Sequence, residues 1–255
     1  MDRFDRQLRV TDWGETAQSH FARATVLLCG CGALGSMIAT LLVRAGIGRL
    51  RIVDHDVVGT PDLHRQILFF QSDADRRERK VDVAARELRR IGTDTRIEPI
   101  CETIDETSID ELCDGVGLIV DALDHWPTRF LLNEASVRWN LPWIHGAVLR
   151  TSGQIAVFRP GKTMCLRCLL TPDDTPSPGV SVAGVLSPIV TTIASLEAIE
   201  TMKLAGKVDE SLILNDLWCV DLWRSSWRRL TLTTPDPMCP ICSGRTHIRE
   251  CFSPE

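Results

Sequence analysis

Short apolar runs alternate with longer amphipathic segments through the first 150 residues of the chain. Runs of this kind are typical of strands buried on both faces, and the segments between them have the spacing of helices. Strands are predicted at Thr25–Cys29, 50–53, 96–101, 118–120 and 142–145. Helices are predicted at 36–45, 80–91, 108–113 and 128–139. The alternation predicts a doubly wound parallel sheet, whose ligands bind beyond the carboxyl ends of the strands.

The pattern changes from residue 151 onward. Residues 154–159 alternate apolar and polar side chains, which is typical of an antiparallel strand. A proline-rich loop is predicted at 171–179, a long helix at 187–204, and strands at 212–215 and 228–232. The predicted fold class is therefore α/β, with a Rossmann-like doubly wound sheet that is parallel in its N-terminal half and mixed or antiparallel in its C-terminal half.

A glycine-rich turn joins the first predicted strand to the first predicted helix. It contains Gly30, Gly32 and Gly35 in the spacing GxGxxG. In dinucleotide-binding folds these glycines allow a tight turn, close approach of the backbone to phosphate, and close packing of the helix on the strand. Asp54 ends the second strand, where an acidic residue can hold ribose hydroxyls. Together these features predict a nucleotide-binding βαβ unit.

Residues suited to a triphosphate follow this unit. Arginine is abundant in the chain, so a single arginine such as Arg65 is weak evidence, but Lys80 is a rare lysine at a helix start, where a phosphate would bind. Asp121 ends the central strand and is expected to be structural. Asp124, in the loop beyond, is a candidate ligand for magnesium, with capping of the next helix as the alternative.

Ten cysteines are spread along the chain, and four of them form two CxxC pairs. Cys165 and Cys168 make the first pair, and Cys239 and Cys242 make the second. Four thiolates at this spacing supply the tetrahedral shell that zinc prefers, and because they close the coordination sphere the zinc is predicted to be structural. A disulfide or redox role for a pair is the alternative, although no βαβ unit lies next to either pair.

Composition bears on partners and location. A net charge of −5 over 255 residues argues against a basic nucleic-acid surface. The N-terminus lacks the apolar core of a signal peptide. The uncharged stretch 179–196 contains Pro188 and several hydroxyl residues, so a buried helix starting near Ser187 is favoured over a membrane span. We expect a cytoplasmic protein with no nucleic-acid or membrane partner.

As a set, these residues resemble the ThiF/MoeB/HesA family of E1-like activating enzymes. The resemblance covers nearly the whole chain, and its motifs occur in one order. They are Asp-Arg-Gln at 5–7, GxGxLG at 30–35, Val-Asp-x-Asp at 53–56, Arg-Gln at 65–66, Lys80, Asp-x-x-Asp at 121–124, Gly-Gln-Ile at 153–155, and both CxxC pairs. It implies a single adenylation domain over 1–255, with a nucleotide-binding half at 1–150 and a mixed half at 151–255 that carries the crossover loop and the zinc site.

The resemblance also implies a reaction and a division of roles. The C-terminal carboxylate of a small ubiquitin-like sulfur-carrier protein of the ThiS/MoaD type, ending in Gly-Gly, would attack the α-phosphorus of ATP to give an acyl-adenylate and pyrophosphate. The implied catalytic residues are Arg6, which would act across a homodimer, Arg65 and Lys80 on the triphosphate, and Asp124 on magnesium. The implied nucleotide-binding set is Gly30, Gly32, Ala33, Gly35, Asp54 (on the ribose), Asp56, Asp62, Arg65, Gln66, Lys80, Asp124 and His125.

Three departures from the family pattern qualify this expectation. Asp62 and His125 stand where the family usually has asparagine. No cysteine occurs between Cys168 and Cys219, and the crossover loop at 171–187 has Val180 and Ser181 where thioester-forming relatives place their nucleophile. Because a nucleophilic thiol must be accessible and activated, adenylation without an enzyme thioester is predicted.

Three other functions stay open at this point. The acceptor can instead be a peptide or metabolite carboxylate, since the same residues would serve. The chain can be a degenerate, non-catalytic E1-like subunit. An NAD-dependent oxidoreductase shares the glycine fingerprint and Asp54, but leaves Lys80, Asp124 and the four cysteines unexplained.

Overall fold

One mixed sheet of eight strands runs through the part of the chain that the structure describes. The structure is a computed structural model, and it describes residues 3–92, 94–170, 183–208, 212–232 and 235–243. The strands are β1 (Thr25–Cys29), β2 (Arg49–Val53), β3 (Arg96–Ile100), β4 (Leu118–Asp121), β5 (Trp143–Leu149), β6 (Ser152–Phe158), β7 (Asp216–Asp221) and β8 (Ser226–Thr231).

Helices connect and cover the strands. They are α1 (Asp5–Leu8), α2 (Gly14–Phe21), α3 (Ala33–Ala45), α4 (Gln71–Arg76), α5 (Lys80–Arg89), α6 (Ile109–Cys113), α7 (Trp126–Trp139), α8 (Leu166–Leu169) and α9 (Ser187–Gly206). A short 3-10 turn, Thr60–Asp62, lies between β2 and α4. None of the helices in the described ranges is long and apolar enough to cross a membrane.

The order in which strands are added to the sheet reverses at β1, so that β2 and β3 lie on one side of it and β4 lies on the other. The order across the sheet is β3-β2-β1-β4-β5-β6-β7-β8. Strands β1 to β5 pair in parallel, and β5 to β8 pair antiparallel. The predicted fold class is confirmed. In sheets of this kind a crevice opens where β1 separates the strands that follow it, β2 on one side and β4 on the other, and ligands bind at that point.

Apolar side chains cover both faces of the sheet, which is why β4 is buried along its whole length and β1 from Val26 onward. Helices α2, α3, α5 and α9 supply one core. Helices α6, α7 and α8 supply the other. Helix α9 packs along α3 and α2 on the first face, so it spans the junction between the parallel and antiparallel halves of the sheet.

Two boundaries differ from the sequence prediction for physical reasons. The strand predicted at 212–215 is wrong, because Asn215 takes a positive φ of 59° that interrupts the extended chain; β7 begins at Asp216, and its ladder with β6 begins at Leu217. Helix α3 starts at Ala33, three residues earlier than predicted, because the glycine-rich turn leads directly into it. The predicted loop at 171–179 lies outside the described residues.

Candidate functional site

A cleft of about 1310 Å³ opens at the carboxyl ends of the parallel strands and extends over the antiparallel half of the sheet. It is lined by most of the residues predicted to bind nucleotide: Gly30, Gly32, Ala33, Asp54, Asp56, Asp62, Arg65, Gln66, Lys80, Asp124 and His125. Gly35 lies behind this surface in α3, and Arg6 lies on another part of the molecule. The fold therefore brings together residues that are up to 95 positions apart along the chain.

The glycine-rich turn requires glycine at its first and last positions. Gly30 has a φ of +95°, and a Cβ there would lie 2.8 Å from the backbone oxygen of Ala122. A Cβ on Gly35 would lie 2.1 Å from the backbone oxygen of Gly30. Gly32 is the N-cap of α3, and no side chain caps that end. The backbone amides at the start of a helix attract anions, so this end of α3 suits a phosphate.

Asp54 ties the glycine-rich turn to the loop after β2. Its Oδ2 accepts a hydrogen bond from the backbone amide of Cys31 at 2.7 Å, and its Oδ1 accepts one from the amide of Asp56 at 2.8 Å. The carboxylate is partly exposed to the cleft. Its position at the end of β2 is the one predicted for a ribose-binding acid.

Lys80 brings a nearly buried positive charge to the cleft. Its side chain is 7% exposed, and its Nζ lies 2.9 Å from Asp56 Oδ2 and 3.8 Å from Asp62 Oδ2. Burial by itself lowers the pKa of Lys80, but the hydrogen bond from Nζ to Asp56 and the charges of Asp54 and Asp62 outweigh it, so the pKa is raised above its ordinary value. Lys80 is therefore a permanent cation at the N-terminus of α5.

The unusual Asp62 has its own local partners. Its Oδ1 accepts hydrogen bonds from Arg65 at 3.2 Å and from Gln66 Nε2 at 2.9 Å, and its Oδ2 accepts one from the amide of Gly59 at 3.1 Å. The added negative charge is thus shared among neighbouring donors. It holds Arg65 and the buried Gln66 in place beside Lys80.

The loop after β4 presents Asp124 and His125 at the mouth of the cleft. Both side chains are exposed. His125 is the N-cap residue of α7, with its Nδ1 3.1 Å from Thr128 Oγ1, so the alternative in which Asp124 caps this helix is wrong. Within the described residues, Asp124 belongs to no cluster of three side chains placed to hold a metal, whereas Asp54, His55 and Asp56 form one such cluster.

A buried polar group that the sequence analysis missed lies beneath this loop. Asp121 is fully buried at the end of β4, as a structural acid should be, and its Oδ2 accepts hydrogen bonds from Arg129 Nε at 3.1 Å and from His145 Nδ1 at 2.8 Å. Arg129 also donates to the backbone oxygens of Leu123 and Gly146. Arg129 therefore fixes the loop that carries Asp124. The available signal was His145, the one polar side chain in the otherwise apolar strand β5; α7 has several polar residues, so Arg129 gave no comparable signal.

In the N-terminal motif, Gln7 contacts the rest of the protein and Arg6 faces the solvent. Gln7 Nε2 donates to the backbone oxygen of Ala45 at 3.1 Å, which fastens α1 to the end of α3. Gly46 follows with a φ of +87°, and its missing Cβ leaves the space that the ring of Phe4 fills. Arg6 points outward with 83% of its side chain exposed.

The four cysteines of the two CxxC pairs converge. The Sγ atoms of Cys165 and Cys239 are 3.6 Å apart, those of Cys168 and Cys242 are 3.4 Å apart, and those of Cys165 and Cys168 are 4.0 Å apart. A tetrahedral zinc with Zn–S bonds of about 2.3 Å requires S···S separations of about 3.8 Å. All four ligand atoms lie within 4.8 Å of one another. The donor set and its spacing therefore fit zinc. The fold brings the two pairs together although 74 positions separate them in sequence.

Fold and site together define a Rossmann-like α/β protein with a cleft at the switch point of its sheet and a four-cysteine cluster beside α8. Residues 4–241 match the ThiF family, and the chain belongs to that family.

Relatives share the fold along most of the chain. The sulfur carrier protein adenylyltransferase of Thermus thermophilus is 32% identical over 257 residues, which cover 98% of this chain and 93% of that protein. The adenylyltransferase and sulfurtransferase MOCS3 of Caenorhabditis briggsae is 32% identical over 249 residues, and here the chain spans 61% of the relative's length. The crystal structure of E. coli MccB with ATP superimposes with a TM-score of 0.82 at 22% identity over 95% of this chain and 75% of that one, a likeness of fold.

Proposed function

We propose that the protein uses ATP to adenylate the C-terminal carboxylate of a small ubiquitin-like sulfur-carrier protein ending in Gly-Gly. The observation that carries the proposal is the buried cation Lys80, which shares the partner Asp62 with Arg65 in a cleft that the uncapped start of α3 also lines. Relatives named as sulfur carrier adenylyltransferases, one of them matched over 93% of its own length, support the choice of acceptor.

In the proposed reaction a carboxylate oxygen of the carrier attacks the α-phosphorus of ATP. The bond from that phosphorus to the oxygen bridging to the β-phosphate breaks, and pyrophosphate leaves with the electron pair. The protein's part is to position the two reactants and to neutralise charge, because no side chain need bond covalently to either. Lys80 and Arg65 would hold the triphosphate, Asp54 the ribose, and the amides of the glycine-rich turn the phosphates.

We assign Asp124 as a ligand for magnesium. When bound, magnesium would neutralise charge on the phosphates. Its exposed position at the mouth of the cleft leaves its oxygens accessible to such an ion. We assign structural zinc to the four cysteines, a homodimer to the assembly and the cytoplasm as location, as the sequence analysis predicts.

We further propose that activation ends at the acyl-adenylate. Cys219 lies on β7 and lines the cleft, but burial raises the pKa of its thiol and the charge of Arg228 opposes this only in part. Cys31, within the glycine-rich turn, is fully buried, and burial raises the pKa of that thiol far above its ordinary value. Thiols of this kind are poor nucleophiles at neutral pH. Val180, Ser181 and Cys251 lie outside the described residues.

The test is ATP–pyrophosphate exchange by the purified protein. Exchange should require magnesium and a ThiS-type carrier, and should be absent with a carrier that lacks the last two glycines. Lys80→Ala should lower the rate by about 10²–10³-fold, as for loss of a group that stabilises developing charge. Lys162→Ala, at an exposed turn outside the cleft, is the matched control.

Two results would contradict the proposal. Exchange that Lys80→Ala leaves unchanged would remove Lys80 from the reaction. Protection of the fold against heat by NADH, with none by ATP and magnesium, would indicate an oxidoreductase. A reductant-sensitive band joining carrier and enzyme on a non-reducing gel would show a thioester and refute the last step only.

A further inference from the structure

A chain of three polar side chains links the buried end of β4 to the floor of the cleft. His145 is 1% exposed; its Nδ1 lies 2.8 Å from Asp121 Oδ2, and its Nε2 lies 3.3 Å from Gln154 Nε2. Gln154 is on β6 and lines the cleft. The imidazole is enclosed by aromatic rings, with the centroid of Trp143 at 5.6 Å and that of Trp126 at 6.2 Å.

Donor and acceptor chemistry determines the orientation of each group. An amide nitrogen can only donate, so Nε2 of His145 must accept the hydrogen bond from Gln154. The ring proton then sits on Nδ1 and is donated to Asp121. Asp121 cannot turn away, because its other oxygen accepts a hydrogen bond from the backbone amide of Leu123 at 2.9 Å and Arg129 holds Oδ2.

The surrounding charges support the neutral form of the ring. Burial lowers the pKa of His145 below its ordinary value, and the charge of Arg129 adds to this, while Asp121 opposes both. The titratable and charged groups around the chain are Asp121 from β4, Arg129 from α7, Glu197 from α9, and the thiols of Cys29 on β1 and Cys219 on β7. An uncharged imidazole with an accepting Nε2 is the state that the Gln154 contact needs.

With its nitrogen committed to His145, the carboxamide of Gln154 has its oxygen left for another partner. Within the described residues that oxygen makes no hydrogen bond. Gln154 pairs with Ala147 on β5 and with Cys219 on β7, so the two residues directly opposite it in the sheet are small. Small neighbours leave space for an extended main chain to lie on the sheet, and peptide N–H groups are the donors that a fixed carbonyl oxygen suits.

We propose that Gln154 determines acceptor specificity by accepting a hydrogen bond from a peptide N–H of the substrate's C-terminal segment, and that His145 is the positioning residue that holds the Gln154 carboxamide in place. The proposal rests on the proposed adenylation of a C-terminal carboxylate. Its ligand class is a peptide main chain with small terminal residues.

Nuclear magnetic resonance of ¹⁵N-histidine-labelled protein tests the hydrogen-bonded chain without any substrate. At neutral pH, His145 should show a protonated Nδ1 and an unprotonated, hydrogen-bonded Nε2. Gln154→Glu keeps the shape of the side chain but puts an acceptor against Nε2, so His145 should take a proton on Nε2 and titrate at higher pH than in the wild type. A merely structural role for His145 would leave its tautomer unaffected by Gln154→Glu, and a wild-type ring with its proton on Nε2 would overturn the proposal.

Exchange kinetics test the role in specificity. Gln154→Ala should raise KM for the ThiS-type carrier about tenfold, the loss expected for one hydrogen bond, and should leave KM for ATP within about twofold. Adding His145→Ala to Gln154→Ala should raise KM little further, because both act through one contact. Gln71→Ala, on the exposed surface of α4, is the control.

The two measurements separate the failure of this inference from that of the proposed function. A loss of kcat with unchanged carrier KM in Gln154→Ala would refute the specificity role. If the wild-type protein catalyses no exchange, the proposed function fails and the acceptor role of Gln154 fails with it. The NMR result alone would then show whether His145 and Gln154 are hydrogen-bonded. Gln154→Ala and Gln154→Glu alter a side chain at the cleft surface, so the NMR test and the single-variant kinetics do not require a folded protein that carries His145→Ala.

Discussion

Glu197, a carboxyl group on α9, is fully buried where that helix crosses β5. Neither of its oxygens has a hydrogen-bond partner within the described residues, and a Cβ on Gly146 would lie 2.2 Å from its Cδ. Burial raises the pKa of Glu197 well above the ordinary carboxyl range, and the charge of Asp121 adds to this against Arg129. A neutral carboxyl costs much less to bury than a carboxylate, so Glu197 keeps its proton in the folded state.

Because Glu197 keeps its proton in the folded state, the free energy of unfolding depends on pH. In the unfolded chain Glu197 ionises above about pH 4.5, so the folded state binds one more proton and its stability falls as pH rises, up to the folded pKa. Glu197→Gln should remove this dependence. Its unfolding free energy relative to wild type should increase by about 1.4 kcal/mol per pH unit in that window.

Urea denaturation at several pH values measures the difference. His145 contributes with the opposite sign, because its lowered pKa costs stability as pH falls below about 6.5, but this contribution cancels between variant and wild type. Glu111→Gln, at an exposed site on α6, is the matched control for the loss of one carboxyl group. A constant difference between Glu197→Gln and wild type across the range would mean that Glu197 is ionised when folded.

At the scale of elements, the short helix α8 is held in position by contacts of cysteine and asparagine side chains. Cys165 is its N-cap residue, and the amide of Leu166 donates to Asn133 Oδ1 on α7 at 2.8 Å. The segment that carries Cys239 and Cys242 meets this helix through sulfur atoms. A metal joining them would close a long loop of chain and so add stability.

Purified protein should accordingly contain about one zinc per chain. Cys239→Ser should lose the metal and lower the melting temperature, while the affinity for ATP changes little, because the cluster is separate from the residues that line the cleft. Elemental analysis, thermal denaturation and calorimetric titration with ATP are the measurements. Cys101→Ser, outside the cluster, should retain the zinc. Metal-free protein prepared without chelators would contradict the assignment.

At the scale of the whole molecule, the predicted catalytic residues fall into two groups. Lys80 and Arg65 share one cleft, whereas Arg6 is exposed on α1 and does not line it. The homodimer that we propose would place Arg6 of each subunit at the other subunit's cleft. The N-terminal helix is anchored for this by Gln7, which binds the end of α3.

Mixed dimers test that arrangement. Arg6→Ala and Lys80→Ala proteins should each be inactive in exchange, and co-assembly should restore part of the activity, because one of the two sites would then have both side chains intact. Arg9→Ala, one turn further along the same exposed surface, should remain active as a homodimer. A wild-type protein that sediments as a monomer and still catalyses exchange would refute the shared site.

The sequence by itself determined the parts of this protein that depend on local pattern. Apolar runs predicted the central strands β1 and β4, because a strand buried on both faces must be apolar along its length. The glycine-rich turn predicted the entry into α3, because the tight turn at Gly30 and the close contact at Gly35 exclude a side chain. The CxxC spacing picked out four cysteines that converge in the fold, a donor set that suits zinc.

Only the tertiary structure decided which distant residues meet. The strand at β7 was misplaced because its ladder with β6 is a contact between residues some 60 positions apart, and no local pattern records it. Asp62 is a departure from the family pattern in sequence, yet its charge is stabilised by donors that the 3-10 turn brings within 3.2 Å. His145 and Gln154 are joined because two antiparallel strands place them within hydrogen-bond distance of each other, above Asp121. The role of a buried polar group depends on the partner that it meets in the fold.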